Sequence, residues 1–283
     1  MSKQLRRVVL LALVGLSLGI TMVSAQQQPE KKLGWYLSAQ TYTFNRFTFF
    51  EAVDKTLSAG LKSVEAYPGQ QLGGGMGGVM DYKMDAAKRK AILKALKKEG
   101  VKLCAFGVVN GSNEAEWTQI FEFAKAMGIK VINTEPSADA MQMIGRLANR
   151  YKIKVGIHNH PKPSHYWSPQ AVLDAVAAAD SKYVGACADI GHWVRSGLDP
   201  VESLKKYDGH LVSLHFKDLS EKSASAHDVH WGTGVCNVEA VIAELKRQGF
   251  KGNISAEYEH NWEDNAGDVK QSVVNFRNIL TSH

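Results

Sequence analysis

The chain has 283 residues, 45% hydrophobic, 9% aromatic and 22% charged, enough for one large α/β domain and too many for a small module. Its formal charge is +6, but Lys3, Arg6 and Arg7 supply three of those charges from the first 25 residues, leaving about +3 for the rest. No basic stripe is interleaved with aromatics, which argues against a nucleic-acid partner, and the odd set Cys104, Cys187 and Cys236 matches no disulfide framework or zinc spacing.

In chain order, the basic start runs into the apolar stretch "VVLLALVGLSLGITMV" and then "VSA". The run is shorter than the ~20 residues of a membrane span. It reads as a signal peptide over 1–25, cleaved after Ala25. The mature protein is then periplasmic or secreted, with no stable membrane anchor. Residues 26–32 read as a disordered lead-in, and 33–283 as a single domain.

From there strand and helix patterns alternate. The units begin with "GWYLSAQTYT", "KSVEAYP", "KLCAFGVV", "KVINTEP", "KVGIHNH", "VGACADIGHW", "LVSLHFKDLS" and "GNISAEYEH", each followed by a helical pattern. "SPQ" and "DPV" place proline at the first helical position, and Gly100 and Gly128 stop helices before the next strand. Eight such units in about 250 residues have the rhythm of a (β/α)8 TIM barrel. A doubly wound sheet is the competing fold, but no G-x-G-x-x-G follows the first strand. "GGGMGG" (73–78) reads as a flexible lid loop.

In a barrel, chemistry collects at the C-terminal strand ends. Strand two offers Glu65 there and strand four Glu135. Strand five offers His158 and His160, and strand six Asp189 and His192. Strand seven offers His215 and Lys217, and strand eight Glu257 and Glu259. Carboxylates that converge on one mouth repel and are costly to desolvate. One divalent cation, Mn²⁺, Mg²⁺, Co²⁺ or Zn²⁺, removes that conflict and suits oxygen and imidazole donors.

The motifs "HNH", "DIGH", "HFKD", "WGTG" and "ISAEYE" resemble the xylose isomerase-like TIM barrels, known as sugar phosphate isomerases/epimerases, over residues 33–281. The resemblance implies one metal held by Glu135, Asp189, His215 and Glu257, with His158 as the alternative to Glu135. It also implies a metal-dependent sugar isomerase or epimerase that passes through an enediolate. Glu135 and Glu257 would be acid and base, Lys217 would face the oxyanion, and His160 would join the catalytic set. His158, His192, Trp231 and Glu65 would contact a carbohydrate substrate.

An export signal and the lack of a phosphate cradle point to an unphosphorylated sugar. A lyase or dehydratase acting on keto-sugars or 3-keto-glycosides remains the alternative within the enzyme class. Outside it stand a metallonuclease of the endonuclease IV type and a non-catalytic sugar-binding barrel. Oligomeric state is left open, a homo-oligomer included.

Overall fold

The computed structural model describes residues 28–282. Eight parallel strands close a barrel: β1 (Trp35–Gln40), β2 (Ser63–Ala66), β3 (Lys102–Phe106), β4 (Val131–Thr134), β5 (Lys154–His158), β6 (Val184–Asp189), β7 (Leu211–Phe216) and β8 (Gly252–Ala256). Each pairs with its chain neighbours. β1 closes the ring by pairing with β8 (Trp35↔Gly252) and β2 (Ala39↔Val64). The expected (β/α)8 barrel is therefore present as one domain.

The strands form because short apolar, β-branched runs are bounded by residues that start and stop helices. Helix α1 (Phe49–Ser58) opens with a Thr48–Glu51 capping box. α2 (Ala86–Glu99) and α3 (Glu114–Met127) are capped by Asp85 and Asn113 and end at Gly100 and Gly128 in the left-handed region. α4 spans Met141–Tyr151. The expected proline starts open α5 (Pro169–Ala179) and α7 (Pro200–Lys206). A short α6 (Ile190–Arg195) precedes α7, and α8 (Val238–Arg247) and α9 (Ala266–Ser282) complete the outer layer. Between strands and helices lies a continuous apolar shell that includes Trp117, Phe121, Phe216 and Phe276. Burial of that shell is the main stabilising term. The three cysteines are free and buried, as their apolar settings suggest.

Two expectations are corrected. The lead-in is not disordered throughout: Pro29–Leu33 forms a 3₁₀ turn, and buried Glu30 accepts from Arg277 Nη2 on α9 at 2.8 Å. An apolar-poor stretch is held here by an ion pair that spacing alone does not reveal. The glycine-rich stretch is no open loop. It pairs as a hairpin, Gln71–Gly73 against Met76–Val79, because Gly73, Gly74 and Gly75 all adopt positive φ at the turn. The signal segment 1–25 lies outside the described residues. No helix among those described is long and apolar enough to cross a membrane.

Candidate active site

The barrel interior is polar in layers. In the middle, Glu65 is fully buried and serves three partners. Asn133 Nδ2 donates to it at 2.7 Å, Ser255 Oγ donates at 2.5 Å, and His215 Nε2 lies 3.0 Å away. Ser213 Oγ donates to Asn133 Oδ1 at 2.8 Å. Glu65 therefore lies beneath the mouth as a buried acceptor, which corrects its expected substrate contact. Trp231 is corrected too. It is 1% exposed and packs against Phe216 and Phe276, outside the barrel wall.

Above that layer the strand ends carry the charged groups. "HNH" divides into three tasks. His158 points inward at the end of β5. Asn159 clasps β6, accepting from Asp189 N and donating to Asp189 O, each at 2.9 Å. His160, with its side chain 46% exposed, hydrogen-bonds Glu135 at the rim. Glu135 also accepts from His158 Nδ1 at 2.8 Å.

Asp189 caps α6 through His192 N at 2.8 Å and meets Lys217 Nζ at 2.9 Å. Lys217 also bonds Glu257. "DIGH" needs its glycine because a Cβ on Gly191 would come within 2.8 Å of Lys217 Cβ. "HFKD" and "WGTG" form one device. Asp218 accepts from Leu219 N and Cys236 N on one oxygen, and from Gly232 N and Gly234 N on the other, at 2.8–3.0 Å. A Cβ at Gly234 would lie 2.3 Å from Leu219 O.

The electrostatics follow from burial opposed by close partners. Burial lowers the His158 pKa, but the neighbouring Asp189 and Glu135 carboxylates outweigh it and raise it to about 10. Burial drives His192 well below its ordinary value, so its imidazole is neutral. Burial raises Asp189 and Glu257, yet His192 with Lys217 and His215 with Lys217, respectively, hold both well below the carboxylate range. Glu135 is pushed up by burial and pulled lower still by His158 and His160. Lys217 stays charged, because Asp189 and Glu257 overcome its desolvation.

Donor atoms of His158, Asp189, His192 and Glu257 all lie within 4.8 Å of one another, and so do those of Glu135, His158 and His160. Of the four expected ligands, Asp189 and Glu257 fall in the first group and Glu135 in the second, while His215 borders the first through an Nδ1 that has no hydrogen-bond partner. His215 is placed lower, between Glu65 Oε1 at 3.0 Å and Glu257 Oε2 at 3.1 Å. Glu135 stands behind His158.

The residues fit a divalent ion. His158 Nε2 is buried with no hydrogen-bond partner and faces Asp189 Oδ2 at 3.6 Å, and His192 Nε2 is 3.5 Å from the same oxygen. Two imidazoles and two carboxylates form a donor set of the borderline-hard kind.

Residues 53–278 match the xylose isomerase-like TIM barrel family. The chain belongs to that family. An uncharacterised protein from Parabacteroides distasonis with a solved structure is 34% identical, with a TM-score of 0.71 over 86% of this chain and 98% of that one. An inosose dehydratase of Clostridium botulinum is 30% identical over 88 residues, 31% of this chain and 29% of its own length. An L-ribulose 3-epimerase structure, 12% identical with a TM-score of 0.67 over 87% of this chain and 95% of that one, shares the fold. The chain matches less than half the length of the curated relatives. The proteins beside which this chain falls thus include an inosose dehydratase, matched over part of its length, and an epimerase that shares the fold.

Sequence reasoning missed Arg195 and Asp228. Arg195 bonds Glu259 at 2.6 Å and Asp228 at 2.9 Å and lies 3.3 Å from His192 Nδ1. Burial raises Asp228 to about 7, although Lys217 and Arg195 pull it down. Position i+3 from His192 on one helix was the available signal for Arg195. Asp228 comes from a loop and gave none.

Proposed function

We propose that this protein is a divalent-metal-dependent isomerase or epimerase that removes a proton from the carbon beside a carbonyl of an unphosphorylated sugar, in an exported compartment. The observation that carries the reading is the orphaned, buried His158 Nε2 facing Asp189 while Glu135 holds the opposite ring nitrogen. A carboxylate behind a histidine is the usual way to fix a ligand's tautomer and aim. His158, Asp189, His192 and Glu257 would hold the ion, with Glu135 positioning His158. When bound, the metal polarises the carbonyl and its neighbouring hydroxyl as a Lewis acid.

The chain's own groups supply the rest. Glu257 is ionised and faces the mouth as a base. Glu135 and His160 form an acid–base pair at the rim. The Lys217 ammonium neutralises a developing oxyanion where water is excluded. Arg195 is engaged with the Asp228 and Glu259 carboxylates, so it is not free to cradle a phosphate. This favours an unphosphorylated sugar.

Elimination begins with the same proton removal, and the likeness to inosose dehydratases favours it as a second reading. The test is metal analysis of purified protein, followed by reaction in D₂O with free sugars and 3-keto-glycosides. Solvent deuterium at carbon without loss of water supports isomerisation or epimerisation. Release of water or an aglycone supports elimination. No stoichiometric divalent metal together with no exchange overturns both.

A further inference from the structure

The charged groups occupy the β4–β8 side of the mouth. The β8–β1–β2 side carries something different. Tyr42, in the turn after β1, is 42% exposed and is the exposed large hydrophobic side chain among the described residues. Tyr67 from the loop after β2 meets it edge-on at 5.3 Å and 79°, and Trp262 from the loop after β8 meets it at 5.9 Å and 84°. Three loops that share no sequence proximity thus bring aromatic rings to one place.

Buried polar groups build this arrangement. Thr43 Oγ1 donates to Ala256 O at 3.2 Å and accepts from Tyr258 N at 2.9 Å, clasping the backbone on both sides of Glu257. Asn265, fully buried, ties the Trp262 loop back by donating to Thr43 O at 2.8 Å. Gln70, also buried, ties the Tyr67 loop by donating to Phe47 O at 3.2 Å and Thr41 O at 3.5 Å. Aromatic rings fixed by buried amides beside a polar site are preorganised for a flat ring, because little side-chain freedom is lost on binding. Left in water with no ligand, the exposed Tyr42 ring gains nothing from this bracing.

We infer that Tyr42, Tyr67 and Trp262 form a second subsite that stacks on a ring joined to the reacting sugar through a glycosidic bond. The substrate class is then a glycoside rather than a free monosaccharide. This rests on the proposed reading of the charged site for its first ring, but not for its own test.

The test is binding, measured on the full chain by saturation-transfer NMR with D-glucose, phenyl β-D-glucopyranoside and cellobiose as probes. One well-oriented aromatic contact is worth roughly tenfold in affinity. A two-ring probe should therefore bind about tenfold more tightly than glucose. Tyr42→Ala and Trp262→Ala should each remove most of that preference while leaving glucose binding unchanged. Tyr42→Phe keeps the ring and should keep the preference, which separates stacking from loss of fold. A phenyl preference identifies an aryl group in the subsite, and a cellobiose preference identifies a second sugar.

Equal binding of one-ring and two-ring probes overturns the inference. So does a preference that survives both alanine variants, or no binding of any probe. Deuterium exchange on free sugars without any two-ring preference sinks the subsite alone. A two-ring preference without exchange or metal sinks the proposed reaction and keeps the subsite.

Discussion

Two neighbouring layers of the barrel interior carry nearly the same residue types and differ in one respect. In the middle layer the Glu65 carboxylate is shared by Asn133, Ser255 and His215, each within 3.0 Å. In the layer above, His158 Nε2 has no partner, and the Asp189 and Glu257 carboxylates converge on a single ammonium. A carboxylate at the end of a strand is therefore no sign of chemistry in itself. The Glu65 carboxylate is satisfied by the protein itself, whereas the unpartnered His158 Nε2, set among charged strand ends, is open to a ligand; His215 Nδ1, between the layers, also lacks a hydrogen-bond partner.

That contrast can be broken from either side. The largest effect is expected in the satisfied layer. Glu65→Ala strands three buried partners at about 1–3 kcal/mol each, so unfolding in denaturant should show a loss on the order of 3–5 kcal/mol or more. A loss below about 1 kcal/mol would remove Glu65 as a pillar.

Asp228 comes next. Its proton is held to about 7 when folded against an ordinary 3.8. The folded state therefore binds the proton more tightly, and stability falls as pH rises from 3.8 to about 7, then levels. The full effect is up to about 4 kcal/mol. Asp228→Asn should flatten that part of the pH–stability curve, and an unchanged slope would remove Asp228 as its source.

Lys217→Met takes away the ammonium that Asp189 and Glu257 share, at a cost of about 3 kcal/mol or more in the metal-free protein. Added Mn²⁺ or Zn²⁺ should then raise Tm further in the variant than in the parent. The opposite order would mean that the two carboxylates do not share a cation site.

The smallest effect separates ligand from support. Glu135→Gln should weaken metal binding by about 10–100-fold, whereas His158→Ala should abolish stoichiometric binding. The reverse ranking, read by calorimetric titration, would return the ligand role to Glu135.

Much of the architecture was legible in the sequence, because helix starts and stops are local. Proline after Ser168 and Asp199 and glycines at 100 and 128 act on their own turns. The strand-end rule also brought Glu135, His158, His160, Asp189, His192, Lys217 and Glu257 to one mouth. It could not say which end residues sit a layer too low, as Glu65 and His215 do, nor that Trp231 turns outward into the apolar shell. For Glu65 that placement depends on strand stagger and on partners 68 to 190 positions away, from Asn133 to Ser255. The fixed 3₁₀ turn at Pro29–Leu33 was missed for the same reason, since Arg277 lies 247 positions from Glu30.

The sequence by itself determined the eight-fold alternation, the membership of the charged mouth and the glycines its motifs require. Tertiary structure alone decided that His158 carries the free donor atom, that Glu135 stands behind it, and that Tyr42, Tyr67 and Trp262 meet across three loops. The physical reason is range. Capping and turn preferences act within a few residues, whereas hydrogen-bond satisfaction in a closed barrel is settled only when all eight strands are in register.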